Sequence, residues 1–150
     1  MNHGLRSTLA SIAMLLLLPL AAWGGQSVSH GKYVIHYNAI PSTFLTPDTA
    51  REYGISRSRN RAMLNISVQE KTGNGLETVA VPAKVRATAT NLSGQLKGIS
   101  MREIRDGNAI YYIGEVGVND QEILDFNVEV TPQKQSNPYV VKFREQFFTD

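Results

Sequence analysis

Three arginines spaced by two, Arg57, Arg59 and Arg61, are the densest chemical signal in the chain. On an extended backbone alternate residues share a face, so their guanidinium groups would form one row. Such forks pair bidentately with carboxylates and phosphates, and Arg beside an aromatic ring is the composition of an interface hot spot. Phe44 lies upstream in the same segment. Phe44, Arg57, Arg59 and Arg61 are therefore the candidate binding surface. The competing reading leaves the Arg side chains solvated and has Phe44, Leu45 and Ile55 plug one end of the fold.

Two other chemistries compete with binding. His30, His36, Met63 and Met101 are residue types that copper accepts. On a straight strand, at about 3.3 Å per residue, the two His would stand roughly 20 Å apart. A shared site would need a bend at Gly31 or ligands from elsewhere. No His-x-His or Met-rich run occurs, so no metal or other cofactor is expected. A small hydrolase would have to assemble Ser, His and Asp in space. No Gly-x-Ser-x-Gly elbow is present. Glu103, Glu115, Glu122, Asp125 and Glu129 offer carboxylates for glycoside chemistry. Alternation, however, places Asp125 and Glu129 on the wet face of a strand, where charge keeps a sheet soluble. The order of readings is a non-covalent binding module, a hydrolase, then a copper-binding protein.

The elements that must position these residues read as short strands. Ala62, Leu64, Ile66 and Val68 alternate with Met63, Asn65, Ser67 and Gln69. Leu124, Phe126, Val128 and Val130 alternate with Asp125, Asn127, Glu129 and Thr131. Period-two alternation means one buried face and one wet face, as in antiparallel sheets. Further strands are expected over 33–38, 78–81, 85–91, 96–105, 110–118 and 139–147. Gly- and Asn-bearing turns at 72–75, 91–94, 106–108 and 136–138 separate them. The expected fold is all-β, an immunoglobulin-like antiparallel sandwich of about seven or eight strands. A small barrel is the alternative. Phe147 and Phe148 cannot both face inward on a regular last strand, so one is exposed there or covered by a partner strand.

The stretch between Asn38 and Arg61 breaks this rhythm. Thr46-Pro47-Asp48 is helix-start chemistry, with Thr46 as N-cap and Pro47 at the first helical position. A short helix is expected over residues 46–53, stopped by Gly54. Long connections in a compact domain tend to be functional or disordered, and Ile40, Phe44, Leu45, Tyr53 and Ile55 are too apolar for disorder.

The first residues belong to a different class. Arg6, the apolar run from Leu9 to Leu20 and the small residues Ala21, Ala22, Gly24 and Gly25 are the three parts of a secretory signal peptide. The expected organisation is a signal over residues 1–24, with Ala22 as the competing cleavage point, and one β domain over 25–150. The run is too short to span a bilayer comfortably, so no stable membrane span is expected after cleavage. Arg6 falls in the leader, so the rest of the 15 basic residues nearly balance the 13 acidic ones. A balanced chain has no electrostatic footprint for nucleic acid. The chain has no Cys, hence no disulfide, no thiol nucleophile and no lipid-modified Cys. A periplasmic location and another envelope protein as partner are the resulting expectations.

The segments Tyr33-Val34-Ile35-His36-Tyr37-Asn38-Ala39, Pro41-Ser42-Thr43-Phe44-Leu45-Thr46-Pro47, Tyr53-Gly54-Ile55, Arg57-Ser58 and Arg61-Ala62-Met63-Leu64-Asn65-Ile66 carry a family resemblance. They resemble a family of small bacterial exported proteins, domain of unknown function 4426. The resemblance covers the chain after the leader. It implies a signal peptide followed by one β domain, and it implies no activity and no catalytic residues.

Overall fold

The computed structural model describes residues 25–149. The leader expected over 1–24 lies outside them. Ten strands run in order: β1 (Gln26–His30), β2 (Tyr33–Pro41), β3 (Arg61–Thr72), β4 (Glu77–Ala80), β5 (Ala83–Asn91), β6 (Leu96–Ile99), β7 (Arg102–Asp106), β8 (Ala109–Gly117), β9 (Ile123–Pro132) and β10 (Tyr139–Gln146). A 3-10 turn (Ser42–Phe44) and one α-helix, α1 (Pro47–Glu52), occupy the connection from β2 to β3.

The strands form two antiparallel sheets. The first has the order β1-β2-β3-β8-β7, with β4 pairing the far end of β3. The second has the order β10-β9-β5-β6. Leu64, Ile66 and Val68 of the first sheet and Leu124, Val128 and Val130 of the second are fully buried, and they form the core between the layers. This is the all-β sandwich that the alternation dictates.

Two strands exceed the expected seven or eight, for distinct reasons. β1 is mostly polar and exposed, QSVSH, and only its pairing with β2 makes it a strand. The stretch 96–105 is two strands in different sheets. β6 pairs with β5, the chain turns at Ser100 and Met101, and β7 pairs with β8. Gly114 on β8 permits that crossing. A Cβ there would lie 2.5 Å from Ile99 Cγ2, 2.6 Å from Met101 Sδ and 3.0 Å from the Ser100 carbonyl oxygen. The crossing chain occupies the space a side chain would need.

The segment 42–60 does not plug an end of the sandwich. It lies across the outer face of the first sheet. Met63 and Ile113 point outward from β3 and β8, opposite in parity to the core residues Leu64 and Tyr112. Leu45, Ala50, Tyr53 and Ile55 cover them and make a second, smaller apolar core. Met63 is 5% exposed despite standing on what would otherwise be a wet face.

Candidate functional site

The covering segment is held by matched local chemistry at both ends of its helix. Thr46 accepts the Thr49 N–H at 3.2 Å, which caps α1, and Pro47 occupies the first turn, where no N–H is required. At the other end, Ile55 N–H donates to the Ala50 carbonyl at 2.7 Å and Gly54 N–H to the Arg51 carbonyl at 3.1 Å. That pair of bonds is a Schellman motif, and Gly54 supplies its left-handed residue at φ +63°. Ile55 and Ala50 share the second core, which is the apolar contact that accompanies the motif. Arg102 of β7 donates to the Gly54 carbonyl at 3.1 Å.

Ser42 closes the segment into a loop. It is fully buried, donates its hydroxyl to the Ser58 carbonyl at 2.9 Å and accepts the Ser58 N–H at 2.9 Å. The Glu115 carboxylate accepts the Ser56 N–H at 3.1 Å, and Val118 N–H donates to the Asn60 carbonyl at 2.9 Å. From Gly54 to Asn60 the segment is thus hydrogen-bonded to the sheet, and Leu45, Ala50 and Tyr53 hold its first half by apolar packing.

On this platform the four candidate residues separate into distinct environments. Phe44 is 58% exposed at the end of the 3-10 turn. Arg57 is exposed and donates to the carbonyl of Thr43, the residue beside Phe44, at 3.1 Å. The geometry expected for the Arg row is not the observed one. Arg61 N–H bonds to the Ser58 carbonyl at 3.2 Å, so a turn containing Arg59 interrupts the extended run. Arg61 opens β3 and stands 3.8 Å from the Glu115 carboxylate. Among the described residues neither Arg57 nor Arg59 makes an ion pair.

The other candidate constellations do not converge. β1 and β2 turn back at Gly31, with His30 opposite Tyr33 and Ser27 opposite His36. His30 shares the inner face with Tyr33 and stacks on Tyr139 at 4.6 Å between centroids. His36 has the opposite parity and lies on the outer face. Met63 is in the second core, and Met101 packs against the first. Among the described residues no His bonds to a carboxylate. Asp125 takes a two-pronged contact from Arg144 at 2.7 and 2.8 Å on the outer face of the second sheet. Glu103 accepts Arg105 at 2.6 Å and the Tyr112 hydroxyl at 3.2 Å.

Glu122 is the best-satisfied carboxylate. Lys97 donates to it at 2.8 and 3.0 Å, Asn91 at 3.0 Å and the Asn119 N–H at 2.8 Å. Burial would raise its pKa, yet the bonds from Lys97, Asn91 and Asn119 outweigh burial and hold it below the usual carboxylate range. Lys97 also donates to the Gly117 carbonyl at 2.8 Å, on a stretch of β8 that β7 does not reach. An open cleft of about 450 Å³ lies beside this pair, lined by Asn60, Gln95, Lys97 and residues 115–119. The site is a charge clamp between the sheets, its groups already paired.

Residues 27–150 match the family described as "Domain of unknown function (DUF4426)". The chain belongs to that family. This DUF4426 chain is also similar to the crystal structure of a DUF4426 protein from Pseudomonas aeruginosa. The two are 27% identical with a TM-score of 0.72, over 85% of this chain and 97% of that one. FetP of uropathogenic Escherichia coli, expressed in the periplasm, shares the fold at 10% identity and TM-score 0.58, over 83% of this chain and 93% of its own. A copper-bound FetP variant gives 11% and 0.57, over 82% and 89%. No curated protein matches. Among the described residues no helix is long and apolar enough to cross a membrane, and no three His, Cys, Asp or Glu side chains group to hold a metal.

Proposed function

We propose that this protein is a periplasmic, non-covalent binding module for another envelope protein, engaged through Phe44, Arg57 and Arg59. The observation that carries the reading is one exposed aromatic ring and two guanidinium groups without carboxylate partners, all on a segment fastened at every turn. A backbone fixed before binding loses less freedom when the partner arrives. Exposed Phe and Arg are the residue types that dominate interface energetics, and Arg selects carboxylates through its planar fork. Arg61, at the start of β3, has Glu115 at 3.8 Å and is left out of the proposed surface.

The test is co-purification from cross-linked periplasm with the double charge reversal Arg57→Glu, Arg59→Glu as comparison. The reading predicts one enriched envelope protein with the native surface and its loss with the variant, at an unchanged melting temperature. Equal capture by both proteins would remove Arg57 and Arg59 from the interface. Unfolding of the variant would make them structural.

A further inference from the structure

The last strand carries one residue that breaks its own pattern. Tyr139, Val141, Phe143 and Glu145 share the inward face of β10, Phe147 continues that parity one residue past its end, and Val141 and Phe147 are buried in the core. Glu145 has the same parity and is a carboxylate. It lines a pocket of about 150 Å³ between the sheets, with Gln26, Tyr37, Asn38, Ala39, Ile40 and Phe143. Among the described residues it makes no hydrogen bond or ion pair, and burial alone acts on it, raising its pKa. The Tyr37 and Phe143 rings lie 4.8 Å apart at 40° beside it. β1 and β10 are both sheet edges, so the pocket opens between two edges on the side of the sandwich remote from β6 and β7.

We infer that this pocket binds a primary alkylammonium group, with Glu145 as counter-ion and Tyr37 and Phe143 as its aromatic walls. Glu145 attracts a cation and repels an anion, while the Tyr37 and Phe143 rings, packed on each other with Phe143 also stacked on Phe126 at 4.8 Å, give the alkyl stem an apolar wall. The lining contains no Lys, Arg or His that would neutralise Glu145 from within. An ammonium has three donors, and Glu145 and Gln26, which stands opposite inward-facing Tyr37, offer acceptor oxygens. The volume equals about five waters at ~30 Å³ each, room for a lysine-sized head and part of its stem. The same chemistry is found on a free amine and on a lysine side chain of a partner protein.

The experiment is an NMR titration of the isotope-labelled protein with n-butylammonium chloride, and with n-butanol as its uncharged counterpart. Saturable shifts at Gln26, Tyr37 and Phe143 are expected with the amine, and weaker ones with the alcohol. Glu145→Gln is expected to fold and to weaken amine binding by at least about tenfold, the loss that follows removal of a charge-assisted contact. A lysine-bearing peptide that binds more tightly than butylammonium would place the ammonium on a protein partner, and weaker binding would place it on a free amine. Absence of saturable shifts, or equal affinity in Glu145→Gln, overturns the inference. So does a Glu145→Gln variant whose only change is self-association, which would make the inward charge a guard of the β10 edge.

Discussion

Gly114 and Glu145 show how much a single side chain decides here. At Gly114 the absent Cβ is what lets the chain pass from the second sheet to the first at Ser100. Gly114→Ala is expected to cost about 1–3 kcal/mol, the usual penalty of overpacking, read as a shifted urea midpoint with an unchanged slope. At Glu145 the effect has the opposite sign. Its folded pKa is raised, so the folded state binds more protons than the unfolded state just above the unfolded pKa. Stability contributed by the protonated form is therefore lost as pH rises through the folded value. Among the described residues, Tyr37 is the only other titratable group lining that pocket. Glu145→Gln is expected to raise the melting temperature at pH 7 and to leave it unchanged at pH 3. Glu122 behaves conversely. Its folded pKa is depressed, so its contribution is present above the unfolded value and lost as pH falls through the folded one. Glu122→Gln leaves Lys97 without its counter-ion and is expected to cost about 3 kcal/mol at pH 7, with the difference from the parent shrinking in acid.

At the scale of elements, the strands with the plainest alternation, β3 and β9, were legible because each buries one full face against the opposite sheet. So was α1, since Thr46, Pro47 and Gly54 are local signals that need no tertiary partner. β1 was hidden because its residues are polar and its only cause is the neighbour it pairs with. The break between β6 and β7 was hidden because its cause, Gly114, sits on a different strand. Met63 was the trace of the second core: an apolar residue at a wet parity, which α1 and Ile55 cover. The Arg spacing was legible, and the turn at Ser58 had a local signal that the alternating Arg obscured: the Ser58 hydroxyl accepts the Asn60 N–H at 3.2 Å. The parity of Glu145 could be counted along β10, and only the pocket gives it meaning. The covering segment depends on Ser42, which sequence reasoning passed over. Ser42→Ala removes both bonds to the Ser58 backbone. It is expected to cost about 1–3 kcal/mol and to expose the segment to proteolysis before the sheets unfold.

As a whole, the described residues form a sandwich with one face reinforced. A second core on the outside of the first sheet is not needed to complete the first core, yet it fastens a 3-10 turn, a capped helix and a tight turn against β3 and β8. The result is a fixed surface carrying Phe44, Arg57 and Arg59, while the outer face of the second sheet keeps charges such as Asp125 and Arg144 that neutralise one another. The most direct test replaces Phe44 by a photo-crosslinking phenylalanine and, separately, exposed Val140 on β10 as a control, with irradiation of intact cells. The account predicts one discrete adduct with an envelope protein from position 44, absent from position 140 and lost when Arg57 and Arg59 are changed to Glu. The absence of any adduct at position 44, or the same adduct from both positions, would contradict it.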